Sequence, residues 1–195
     1  MNARLNMGWN YARGGIAVLI LAALFGCGGD DSERPSRLTG AFPLTEPSPG
    51  SPGVLPSAVV GQPAPNFTLK TMDGDTVSLS DYRGAPVLVE FWASWCGPCH
   101  TSAPKMQELF ERFEDDGLTI LGISVDNPFE PAGRLFVERY QWTFPVLLTS
   151  NAVSEAYDVR AIPVTFVVDS EGILVRELIG ARPLNEMVNI VQGLL

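Results

Sequence analysis

The sequence predicts an α/β domain: a mixed central sheet with helices on both faces, entered through an N-terminal β-hairpin. Three observations carry this. Apolar runs of strand length (87–92 and 118–125) alternate with stretches of helical period (103–113 and 130–140), the pattern of strands joined by crossover helices. Two further runs, Val164–Val168 and Ile173–Leu178, face each other across Asp169-Ser170-Glu171-Gly172 as a hairpin, and a closing helix follows. The chain has 195 residues, 46% of them hydrophobic, enough for one domain with a real core.

From the N-terminus, Arg4 and Arg13 precede the apolar run Ile16–Phe25, and no acidic residue occurs in the first 26. The run is shorter than the roughly 20 residues a membrane span needs and fits the core of a signal peptide after a positive n-region. It ends in Leu24-Phe25-Gly26-Cys27, which resembles the bacterial lipoprotein box. The resemblance implies a signal at 1–26, cleavage before Cys27 and lipidation of that cysteine, so that two or more acyl chains hold the protein stably to a membrane. An uncleaved anchor with an idle cysteine is the alternative. Either way the domain is expected to be exported, facing the periplasm or the cell exterior.

Residues 27–58 read as a tether. Pro35, Pro43, Pro47, Pro49, Pro52 and Pro56 alternate with glycine and serine, and no apolar period appears. A coil of that length spans roughly 30 Å on average. The folded domain is expected over 59–195. Ala64–Leu69 and Thr76–Leu79 read as a hairpin about the Asp73-Gly74 turn. Ser80–Gly84 lead into Val87–Trp92, a buried strand. Ala103, Met106, Leu109, Phe110 and Phe113 give the following helix its apolar face. Leu118–Val125 is a second buried strand, Glu130–Tyr140 a helix, and Phe144–Leu148 a short strand. Ser154–Tyr157 is a short helix, and Pro183–Leu195 the closing one.

Between the first long strand and its helix stands Trp95-Cys96-Gly97-Pro98-Cys99-His100. Cys96 therefore lies at a helix N-terminus, where free N–H groups and the macrodipole favour a thiolate. A lowered pKa makes Cys96 a nucleophile, and Cys99 is close enough to close a disulfide with it. A structural zinc site needs about four ligands. The sequence offers Cys96, Cys99, His100 and the distant Cys27. A permanent disulfide at this spacing would close too small a loop to constrain much chain. Redox chemistry is the reading that suits a strand–turn–helix context.

These residues, with Pro104 after the second cysteine, resemble the active site of the thioredoxin superfamily. The opening Gly61-Gln62-Pro63-Ala64-Pro65-Asn66-Phe67 is similar to the start shared by peroxiredoxins and by membrane-anchored reductases of the TlpA and ResA kind. The resemblance spans residues 59 to 195 and implies a thioredoxin-like fold with a helix and strand inserted at its centre. It implies a cis Pro163 beside the disulfide, which would present the Ile162 backbone to an extended substrate segment, as in strand addition. Trp95, Gly97 and Pro98 would complete the substrate-facing surface, and Trp92 would pack behind it. Thioredoxins carry a buried Asp at the position of Glu90, six residues before Cys96, and it relays a proton for the second cysteine. TlpA-like chains place a Glu where this one has Ser102. Glu90 is thus expected to have a raised pKa and to take over that work. His100 is expected to face solvent on the helix; a charged His beside Cys99 that tunes its pKa is the alternative.

The implied activity is thiol–disulfide exchange, reducing exported proteins with Cys96 attacking and Cys99 resolving. An oxidase or isomerase is the near alternative. A thiol peroxidase would need Pro and Thr or Ser where Val89 and Ala93 stand, and a Sco-like copper carrier would need a longer cysteine spacing and a distant His. No cofactor or metal is expected beyond the Cys96–Cys99 disulfide. Expected partners are disulfide-containing exported proteins (apocytochrome c or copper-site proteins among them), a membrane electron donor, and a membrane through the lipid. With a net charge of −9 and only two lysines, Lys70 and Lys105, the chain is not expected to bind nucleic acid. It is expected to be a monomer.

Overall fold

The structure is a computed structural model that describes residues 55–128 and 130–195. The signal at 1–26, Cys27 and the tether up to residue 54 lie outside the described residues. Among the described residues no helix is long and apolar enough to cross a membrane.

A five-stranded mixed sheet forms the centre. Its strands are β3 (Val87–Trp92), β4 (Thr119–Ser124), β5 (Val146–Leu148), β6 (Val164–Val168) and β7 (Leu174–Ile179), in the spatial order β5-β4-β3-β6-β7. A separate antiparallel pair, β1 (Thr68–Lys70) and β2 (Thr76–Ser78), precedes it and leads through a single 3₁₀ turn, Leu79–Tyr82, into β3. β3 runs parallel to β4 and antiparallel to β6, and β4 runs parallel to β5. With strands on both edges and cover on both faces, all six β3 residues are buried. That is why this strand reads as a continuous apolar run and not as an alternation.

The helices are α1 (Gly97–Phe113), α2 (Ala132–Tyr140), α3 (Asn151–Ala156) and α4 (Leu184–Gln192). Successive β3 side chains point to opposite faces. Leu88 and Trp92 join one core with Met106 and Leu109 of α1, Phe136 of α2 and Val191 of α4. Val87, Val89 and Phe91 join the other, with Tyr157, Leu69 of the hairpin and Leu79 of the 3₁₀ turn. Glu90 shares the face of Leu88 and Trp92, and so looks toward α1.

Several boundaries differ from expectation for local reasons. β1 starts only at Thr68, because Pro63 and Pro65 lack the N–H a ladder needs; Pro63 keeps one isolated bridge to Ile173. β5 starts after Pro145, whose carbonyl accepts from Gly122 N at 3.0 Å. α2 begins after Pro131, and Gln141, at φ 52°, ends it in the left-handed region. α3 starts three residues early because Ser150 caps it, its side chain accepting from Val153 N. α4 stops at Gln192, with Gly193 as its cap. Upstream of β1, Leu55 and Ala58 already pack on the second core, and Ala58 N donates to Ala156 O at 2.7 Å.

Candidate active site

The site is built where β3 hands over to α1. Cys96 is the N-cap of α1, extended at φ −83° and ψ 108°, and its Sγ accepts from Cys99 N at 3.2 Å. Pro98 sits in the first turn, where its fixed φ suits a helix start and no N–H is missed. Cys96 and Cys99 are joined by a disulfide, their Cα atoms 5.2 Å apart. Both are buried, Cys99 the more deeply. The surface around them is not: Gly97 and Pro98 are exposed, and Trp95 keeps 71% of its surface.

Opposite lies the start of β6. The Ile162–Pro163 peptide bond is cis, and the Ile162 carbonyl oxygen lies 3.5 Å from Cys96 Sγ. Pro163 is buried and Ile162 half-buried. The Pro163 carbonyl accepts from Gly180 N at 2.7 Å, which draws the loop after β7 to the same rim. A chain segment approaching the disulfide meets Trp95, Gly97, Pro98 and the Ile162 backbone.

On β3, across from Ser102 of α1, lies Glu90, 1% exposed. Burial raises its carboxyl to about 7, opposed by a hydrogen bond from Ser102. Ser102 Oγ is 3.0 Å from Glu90 Oε1 and 3.2 Å from the Cys99 carbonyl, so one hydroxyl links the acid to the second cysteine's peptide group. Glu90 Oε2 is buried with no hydrogen-bond partner among the described residues. The strand residue paired with Glu90 on β4 is Gly122. A Cβ there would stand 3.2 Å from Phe144 and Trp142 and 3.3 Å from Trp92 Nε1. The space a side chain would take is thus filled by aromatic rings. Trp92, wholly buried, stacks on Phe136 at 4.4 Å between centroids.

Two features differ from or go beyond the sequence reading. His100 does not face solvent. It is half-buried, its Nε2 is 2.9 Å from the Ser94 carbonyl and its Nδ1 2.8 Å from the Tyr140 hydroxyl. Its ring lies 4.9 Å from that of Phe136. Helical spacing alone aimed it outward, but α2 covers that flank of α1. Asp126, which the sequence reading did not single out, accepts from Ser94 N at 2.9 Å and from Ser94 Oγ at 2.8 Å. It also accepts from Ser124 Oγ at 3.0 Å. A carboxylate just past the end of β4, the strand beside β3, was the available signal.

Chemically, this arrangement holds one sulfur at a helix N-terminus under an open rim, a second, more deeply buried sulfur joined to it, and a buried carboxyl linked through the Ser102 hydroxyl to the Cys99 carbonyl. Among the described residues no group of three or more His, Cys, Asp or Glu could hold a metal ion.

Comparison with known proteins agrees with this geometry. The AhpC/TSA family matches residues 60–177. Thioredoxin-like protein YneN of Bacillus subtilis is 34% identical over 129 residues, covering 65% of this chain and 75% of that one. Thiol-disulfide oxidoreductase ResA of Bacillus cereus is 31% identical over 134 residues, 68% and 77% of the two chains. Among solved structures, the thioredoxin domain of a thiol-disulfide oxidoreductase from Bacteroides vulgatus superposes with a TM-score of 0.63 at 30% identity. That match covers 70% of this chain and 98% of the other.

Proposed function

The chain belongs to the AhpC/TSA family and is a thiol–disulfide oxidoreductase of thioredoxin-like fold; from that premise we propose that it is an exported, membrane-tethered reductant of protein disulfides. The observation that carries the exchange chemistry is the seat of Cys96 Sγ, at the N-terminus of α1 and 3.5 Å from the Ile162 carbonyl, under an exposed rim.

In the forward reaction the Cys96 thiolate attacks one sulfur of a substrate disulfide. A mixed disulfide forms and the other substrate sulfur leaves as a thiolate. Cys99 then gives up its proton, for which ionised Glu90 is the acceptor, and attacks Cys96 Sγ. The second substrate thiolate departs, the Cys96–Cys99 disulfide is closed, and two electrons have passed to the substrate. An acid with a pKa of about 7 is divided between its two forms near neutrality, which suits both giving and receiving this proton. Ser102 lets Glu90 serve where TlpA-like chains use an acid on the helix. The reaction asks for no cofactor beyond the disulfide.

Gly97-Pro98 between the cysteines supports the reducing direction, since it is the thioredoxin dipeptide. Thioredoxin's potential is about −270 mV and that of the oxidant DsbA about −120 mV. Equilibrating the full chain against a dithiol buffer tests this. A potential near the thioredoxin value is expected; one near DsbA's would make the protein an oxidant. Substrates are exported proteins with accessible disulfides, apocytochrome c or copper-site proteins among them. A reductant outside the cytoplasm draws electrons from a membrane protein, which fits acylation at Cys27 and the proline-rich tether. Mass spectrometry of the mature N-terminus is expected to find lipid on Cys27, and an intact Met1 end without lipid would overturn the anchor.

A further inference from the structure

We infer that His100 is a positioning residue for the redox turn, acting through a hydrogen bond from its Nε2–H to the Ser94 carbonyl; this rests on the thiol chemistry assigned above to Cys96. Ser94 stands two residues before Cys96 and is gripped from two sides. Its N–H and O–H are taken by Asp126 at 2.9 and 2.8 Å, and its carbonyl by His100 at 2.9 Å. Cys96 N donates to the neighbouring Ala93 carbonyl at 3.2 Å, closing the turn. The backbone that delivers Cys96 Sγ to the helix N-terminus is therefore fixed by partners just past β3, on α1 and in the loop after β4.

The proton's place follows from chemistry. A carbonyl can only accept, so Nε2 carries the hydrogen. In the neutral ring Nδ1 is then an acceptor, and the Tyr140 hydroxyl, 2.8 Å away, donates to it. Phe136 and Tyr140 flank the imidazole at centroid distances of 4.9 and 5.8 Å, so α2 sets the ring's plane. A chain runs Asp126–Ser94–His100–Tyr140, from the end of β4 to the end of α2, and crosses the redox turn at Ser94. If the turn loosens, Cys96 Sγ drifts from Cys99 N and loses the N–H that favours its thiolate.

Two near-isosteres separate this role from simple packing. In His100→Gln the amide N–H reaches the place of Nε2; in His100→Asn it reaches only that of Nδ1. The fully reduced full chain is treated with limiting iodoacetamide at neutral pH, and Cys96 is distinguished from Cys27 and Cys99 by peptide mass spectrometry. His100→Asn is expected to slow Cys96 alkylation roughly five- to tenfold, the size one hydrogen bond commands. His100→Gln should stay within about twofold of the parent on the same scale. Equal rates for the two variants would overturn the inference. A long-range ¹H–¹⁵N spectrum of the parent with its ring neutral decides the point without any variant: a proton on Nε2 supports it, and one on Nδ1 overturns it. Because both readouts concern this chain's own groups, a parent that fails to reduce protein substrates counts against the proposed function and leaves the clamp standing.

Discussion

The Ser102 hydroxyl stands between Glu90 Oε1, at 3.0 Å, and the Cys99 carbonyl, at 3.2 Å. This geometry serves both forms of the acid. When Glu90 is ionised, the Ser102 O–H donates to it. When Glu90 is protonated, its own O–H can donate to Ser102 Oγ, and the Ser102 hydrogen turns to the Cys99 carbonyl. A proton can therefore enter or leave the buried carboxyl without stranding the hydroxyl beside it.

Glu90 makes stability depend on pH in a defined direction. Its carboxyl is raised in the folded state to about 7 from 4.5. The folded chain thus holds the proton more tightly, and the stability this gives is full below pH 4.5 and lost as pH rises through 7. The loss is about 3 kcal/mol. Glu90→Gln lacks that decline, so its unfolding free energy should gain on the parent's by about this much between pH 4 and pH 8.5. Urea unfolding of the oxidised full chain across that range measures it, and a constant difference would remove the raised pKa.

Ser102→Ala deletes the one hydrogen bond that lowers Glu90's pKa. The acidic edge of the pH–rate profile for disulfide reduction should move to higher pH, while Glu90→Gln should slow the reaction near neutrality and lose that edge. Steady-state rates between pH 5 and 9 with a protein disulfide test both. An edge that stays in place in Ser102→Ala would detach Glu90 from the rate.

Gly122→Ala should destabilise the fold by about 1–3 kcal/mol through overpacking. Its Cβ would press on Trp142, Phe144 and Trp92 at 3.2–3.3 Å, and these rings are themselves closely packed. Thermal unfolding checks it. An unchanged midpoint would show that the aromatic shell can give way.

Much of this was legible in the sequence. β3 and α1 announce themselves by a buried apolar run followed by helical period, and the cysteines fall at their junction. Glu90 was legible as the lone carboxylate in that run. What escaped depends on contacts far apart in the chain. Asp126 reaches Ser94 across 32 positions, and Tyr140 reaches His100 across 40. Residue type gives neither distance, and helical spacing placed His100 on the open side because it could not show α2 lying there. α3 begins three residues before the expected start because two turns give too little period to read; the Ser150 cap is the better signal.

In the proposed reaction, exchange begins at Cys96 and is resolved by Cys99. Cys96→Ser and Cys99→Ser full chains, each reduced, are mixed with a protein carrying an accessible disulfide, and the adducts are mapped by peptide mass spectrometry. Cys99→Ser should accumulate a mixed disulfide on Cys96, and Cys96→Ser should form none at Cys99. Adducts on Cys99 in the Cys96→Ser chain, with none on Cys96 in the Cys99→Ser chain, would reverse the two roles and contradict the account.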